Sequence, residues 1–172
     1  SLLGGALLTL GACSKNDNVI PQEPVPENVG IFVLNEGASQ NSNLGFYSYG
    51  TNSYTENAYS GSLGQGGNDM VRYGTKIYIT ITDANKLLVL NAATKQELTS
   101  ISLPFPRHLL AYKGKIYVTS QGDNKLVSLD TTSYASNSVD VGKSPEQLTA
   151  TNNKIYVANS GWREALAGGS YD

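Results

Sequence analysis

The side chains that most often carry chemistry are scarce here: one Cys (Cys13), one His (His108) and one Trp (Trp162) in 172 residues. A structural zinc cage draws about four ligands from Cys, His and carboxylates, and a lone Cys forms no internal disulfide. No Gly-x-Ser-x-Gly elbow is present to hold a serine nucleophile. The run Gly61 to Gly67 is as glycine-dense as a phosphate-binding loop, but it lacks Gly-Lys-Ser/Thr and opens no helical pattern, so it reads as a connection. No catalytic residue, metal or cofactor is expected. What remains is recognition chemistry. The polar pairs Asn68-Asp69, Arg107-His108 and Glu146-Gln147 recur at intervals of 39 residues. Asn35 and Glu36 follow an early apolar run, and Asn159, Trp162 and Arg163 follow a late one. Aromatic and Arg side chains on loops anchor ligands through area and directional hydrogen bonds, so these eleven residues are the candidate ligand-binding set. A plainer role fits some of them too: Asp69, Arg107 and Glu146 can pair across repeats, and Trp162 can cap a sheet.

The elements that must position them come from a repeat. Lys76-Ile77-Tyr78-Ile79-Thr80 returns as Lys115-Ile116-Tyr117-Val118-Thr119 and as Lys154-Ile155-Tyr156-Val157-Ala158, each 39 residues on. Asn85 to Asn91 pairs with Asn124 to Asp130 at the same interval, as do Met70, Leu109 and Leu148. A degenerate earlier copy starts at Gly30-Ile31-Phe32-Val33-Leu34. Within one repeat the pattern predicts four short strands: Leu109 to Tyr112, Lys115 to Thr119, Lys125 to Asp130 and Ser136 to Val141. Ile, Val, Leu and Tyr suit a pleated surface, while Gly, Asn and Asp at the joints tolerate positive φ. About 40 residues holding four antiparallel strands form the blade of a β-propeller. The expected fold is therefore all-β, a β-propeller of about three and a half four-stranded blades over 30–172. The three repeated tyrosines, Tyr78, Tyr117 and Tyr156, read as packing residues. In such a blade the polar pairs and the loops after each second strand fall on one face, and the minimal turns on the other.

Hydrophobic residues make up 40% and charged residues 15%, which argues against disorder. The net charge of −2 leaves no basic field to hold nucleic acid. Residues 1–12 are uncharged and leucine-rich, shorter than the roughly 20 residues of a membrane span, and read as the apolar core of an incomplete signal peptide. Residues 13–29 turn polar and then proline-rich, a spacer.

Two resemblances sharpen this reading. Leu10-Gly11-Ala12-Cys13 resembles the lipobox of bacterial lipoproteins, which implies lipidation at Cys13 and attachment to the outer membrane, and Lys15-Asn16-Asp17 resembles surface-export signals, which implies the cell surface rather than the periplasmic face. Tyr117-Val118-Thr119-Ser120 and Tyr156-Val157-Ala158-Asn159, with Pro106-Arg107-His108-Leu109 and Pro145-Glu146-Gln147-Leu148 ahead of them, resemble the YVTN repeat. With Asn35-Glu36-Gly37 and the lipobox, the chain is similar to YncE-like lipoproteins that carry a DUF5074-type propeller. That resemblance implies a seven-bladed ring, of which this chain is a truncated portion. It also implies a non-catalytic surface protein that captures a small molecule or glycan, cobalamin among them, beside an outer-membrane transporter. Two alternatives stay open: a quinoprotein-dehydrogenase-like or lyase-like propeller enzyme, and a protein–protein or adhesive scaffold.

Overall fold

The computed structural model describes residues 29–37 and 41–162. The signal segment, Cys13 and Arg163 lie outside the described residues. The elements are all β-strands, gathered into small antiparallel sheets in chain order. The first sheet has β1 (Gly30–Asn35), β2 (Asn43–Ser48) and β3 (Ser53–Thr55). The second has β4 (Gly67–Tyr73), β5 (Lys76–Ile81), β6 (Lys86–Asn91) and β7 (Glu97–Ser102). The third repeats it with β8 (Pro106–Tyr112), β9 (Lys115–Ser120), β10 (Lys125–Asp130) and β11 (Ser136–Asp140). The fourth holds β12 (Pro145–Thr151) and β13 (Lys154–Asn159). The first strand of the third sheet begins at Pro106, not Leu109, because a bulge lets Pro106 pair with Ser120 ahead of the regular ladder.

The repeat is as visible in the backbone as in the sequence. Positive φ recurs at Asn85 and Asn124 (52° and 56°), and at Lys95 and Tyr134 (60° and 59°). It recurs again at Gly66, Phe105 and Ser144 (80°, 44° and 50°). Asn85 and Asn124 each serve twice. Both take the left-handed conformation open to Asn, and both offer the amide oxygen to a backbone N–H of the next approach segment, Phe105 or Ser144, at 2.9 Å.

Successive sheets pack face to face through two apolar layers. In the first, Phe32, Leu34 and Leu44 of the first sheet meet Ile77, Ile79, Leu88 and Leu90 of the second. In the next, Tyr78, Leu87 and Val89 of the second meet Ile116, Val118, Val127 and Leu129 of the third. The second sheet is thus covered on both faces, which is why β5 and β6 are apolar without alternation. Full burial of each such side chain is worth roughly 1.5–3 kcal/mol.

The tyrosine reading needs a correction. Tyr78 is fully buried, but Tyr117 is half-buried and Tyr156 is 49% exposed. An exact period places an aromatic at the same point of every sheet; it packs only where another sheet lies against it. Beyond the fourth sheet none does among the described residues.

Candidate functional site

The three polar pairs stand at the start of β4, β8 and β12, where neighbouring sheets lie closest in register. Backbone support comes from buried hydroxyls on the adjoining strands. Thr80 Oγ1 donates to the Arg107 carbonyl (2.6 Å), and Thr82 Oγ1 to that of Pro106 (2.7 Å). Thr80 Oγ1 also accepts from Asp69 N, as Thr119 Oγ1 accepts from His108 N, both at 3.0 Å. Within the third repeat, Gln121 N and Gly122 N donate to the carbonyls of Phe105 and Pro104. Ser160 N and Gly161 N do the same for Ser144 and Lys143. These bonds hold Phe105 and Ser144 in a conformation that side-chain-bearing residues seldom adopt, a strain of order 1–3 kcal/mol each.

On this frame most of the polar residues touch their counterparts one repeat away. With its amide turned to satisfy both groups, Asn68 Nδ2 donates to the Arg107 carbonyl (3.0 Å), and its oxygen accepts from Arg107 Nη1 (3.3 Å). Arg107 Nε in turn donates to Glu146 Oε2 (3.2 Å). Asp69 Oδ2 lies 3.5 Å from His108 Nδ1, and His108 Nε2 lies 3.5 Å from Glu146 Oε2. Glu146 Oε1 accepts from Gln121 Nε2 (2.6 Å) and from the indole N–H of Trp162 (2.8 Å). The Glu146 carboxylate therefore accepts three hydrogen bonds and lies beside His108, with its side chain 17% exposed. Such saturation marks an organising residue more than a ligand contact.

Asp69 is held by a similar logic. Its Oδ2 accepts from Leu109 N (2.8 Å) and its Oδ1 from Met70 N (2.7 Å). Burial pushes its pKa up, but the bond with His108, the two backbone N–H groups and the charge of His108 together outweigh it, so the carboxyl titrates below its ordinary value.

The strip thus gathers Asn68, Asp69, Arg107, His108, Glu146 and Trp162 from the expected set. The others lie apart. Asn35 Nδ2 donates to Asn43 Oδ1 (2.6 Å), closing its own hairpin. Glu36 is exposed; its carbonyl accepts from Ser42 Oγ, which also accepts from Gly67 N beside Asn68 (both 2.7 Å). Gln147 is exposed on the open face of the fourth sheet, lining a groove with Tyr156 and Ala158. Asn159 is exposed and turned toward Gly142. Sequence reasoning missed Gln121. It is 3% exposed, and its Oε1 has no partner among the described residues. Beside it the Gly122 backbone runs so close to Pro104 that a Cβ there would stand 2.6 Å from Pro104 Cβ.

Among the described residues no three of His, Cys, Asp and Glu are placed to hold a metal ion. No family profile and no curated protein matches the chain. Among solved structures it is similar to "KlHsv2 with loop 6CD replaced by a Gly-Ser linker", at 13% identity and a TM-score of 0.45. The match covers 74% of this chain, which spans only 44% of that one.

Proposed function

We propose that the sheets are blades of a β-propeller and that the protein is a non-catalytic binding protein, using the polar strip at one end of the blades to capture a ligand. The observation that carries this is the convergence of Asn68, Asp69, Arg107, His108, Glu146 and Trp162, from three repeats, onto one continuous polar edge. Recognition sites of this kind offer a few fixed polar groups beside an aromatic surface. Arg107 and Asn68 present donors and acceptors held by pairing, and Trp162 a flat ring. A hydroxyl-rich glycan or an amide-bearing cofactor such as cobalamin supplies matching donors. The lipobox-like segment ending at Cys13 fits anchorage of this binding head to an outer membrane, where a transporter receives the captured nutrient.

Calorimetric titration of the chain with cyanocobalamin and, separately, with soluble oligosaccharides tests this. One of these probes binds the wild type, and replacing Arg107 and Trp162 together with Ala weakens it at least tenfold, about 1.4 kcal/mol. No binding by any probe, or an affinity that survives the double replacement, overturns the proposal.

A further inference from the structure

The two ends of the strands differ in charge. At the end away from the polar strip, hydrogen bonds tie the minimal turns of successive sheets into one surface. Gly114 N donates to Tyr73 Oη (3.2 Å), Thr131 Oγ1 to the Gly114 carbonyl (3.1 Å), and Tyr112 Oη and Lys113 Nζ to Asn153 Oδ1. Sheets stack through their faces, so stacking leaves these turns open. Among the described residues this end gathers six cations, Arg72, Lys76, Lys95, Lys113, Lys115 and Lys154, against two acids, Glu97 and Asp130. Both acids are engaged: Glu97 accepts from Tyr59 Oη (2.6 Å), and Asp130 from Thr132 N and Ser133 N of its own turn (2.9 and 2.8 Å). The ion pairs Arg107–Glu146 and Lys125–Asp140 lie at the other end, where acids outnumber cations. Arg72, Lys113, Lys115 and Lys154 are exposed, and so are Tyr49 and Tyr73 beside them. The chain also enters β1 here: the Val29 carbonyl accepts from Tyr49 N (2.8 Å), and Phe32 lines a small cavity with Arg72, Thr75 and Ala92.

We propose that this turn end docks onto the anionic headgroups of a membrane, with the polar strip facing away from the bilayer. Charge complementarity selects an anionic partner. Exposed Tyr rings among basic residues match a headgroup layer, where Tyr settles at the boundary and each Lys or Arg near the surface adds about fivefold in affinity. The choice of a membrane over another polyanion rests on the lipobox-like reading of Cys13. That residue stands 16 positions before Val29, a reach of at most about 55 Å, and the segment joins the sheets at their basic end.

Flotation of the 172-residue chain with vesicles, and a gel shift with duplex DNA, test it. The wild type binds phosphatidylglycerol-containing vesicles more tightly than pure phosphatidylcholine ones, which control for insertion of the apolar residues 1–12, and the difference shrinks as salt rises. Replacing Arg72, Lys115 and Lys154 together with Gln weakens binding to the anionic vesicles about a hundredfold. Replacing Lys86, Lys125 and Lys143 with Gln gives the same net charge but alters the other end, and binding stays at the wild-type level; none of the six positions is buried. Equal binding to both kinds of vesicle, equal losses in the two triple variants, or binding to DNA without binding to vesicles each overturns the proposal. The Arg72, Lys115 and Lys154 variant titrates with cyanocobalamin and oligosaccharides as the wild type does, and lipid labelling of Cys13→Ser in cells reports attachment separately, so failures of capture, of anchoring and of docking are told apart.

Discussion

Replacing Glu146 with Gln removes one charge and almost no volume, so it isolates what the carboxylate does. The Oε1 position receives Gln121 and Trp162, and the Oε2 position receives Arg107, with His108 Nε2 3.5 Å away. An amide can offer its oxygen to only one of these sides. Its NH₂ then points at a donor on the other. If the oxygen stays with Gln121 and Trp162, Arg107 loses its acceptor and meets a donor instead. A hydrogen bond to a charged group contributes about 1.5–3 kcal/mol, and stranding one partner of a fully buried pair costs about 3–5 kcal/mol. The side chains of Arg107 and Glu146 keep 26% and 17% of their exposure, so solvent relieves part of this. The expected loss is about 2–3 kcal/mol, or roughly 4–12 °C in Tm for a chain of this size.

Trp162 makes the measurement local. It is the sole Trp, and its indole donates to the carboxylate being changed, so urea unfolding followed by its emission reports global stability and the site together. In Glu146→Gln the unfolding midpoint falls by that amount, and the native emission changes as the indole loses a charged acceptor. A midpoint within about 0.5 kcal/mol of the wild type, the range of ordinary surface changes, with unchanged native emission, refutes the view that Glu146 organises the strip.

Two further outcomes are expected. Tyr78 is fully buried, its hydroxyl has no partner among the described residues, and burial, with Tyr134, Asp130 and Tyr73 nearby, pushes its pKa up to about 12; Tyr78→Phe therefore raises stability by about 1 kcal/mol in thermal melts, and a lower Tm contradicts the assignment. Asp69 titrates below its ordinary value in the folded chain, so the unfolded chain binds the proton first as pH falls, and stability present above roughly pH 4 drains away below it; Asp69→Asn flattens this acid limb of the urea midpoint, and an unchanged limb contradicts it.

The strands are legible because each repeat writes them in the same letters. The pattern places Lys125 to Asp130 without error and overruns Ser136 to Asp140 by one residue. What cannot be read depends on neighbours in space. The packing of Tyr156 fails for want of a sheet beyond it, though its local sequence matches Tyr78 letter for letter over Lys-Ile-Tyr. The left-handed backbone at Phe105 and Ser144 has no local cause: the equivalent Gly66 is glycine, but Phe and Ser take the same conformation because hydrogen bonds from Gln121, Gly122, Ser160 and Gly161 fix their carbonyls or those beside them. Gln121 is hidden for a like reason, since its burial follows from the path of a segment about 17 residues away and not from its own neighbours in sequence.

The candidate site itself is half legible, and the division has one physical origin. Stacking sheets at a fixed register places a residue next to its own counterpart in the adjoining repeat, as Arg107 meets Glu146 and Asp69 meets His108. Picking polar residues at one repeat position therefore also picks each other's partners. Where the counterparts are complementary, they satisfy one another and are withdrawn from solvent; Glu146 is the extreme case. Where no further sheet among the described residues adjoins, as at Gln147 in place of Asp69 and His108, the same position is left exposed. A ligand on this strip must then draw its contacts from what pairing leaves unsaturated: the far side of the Arg107 guanidinium and the ring of Trp162, with Glu146 fixing both in place.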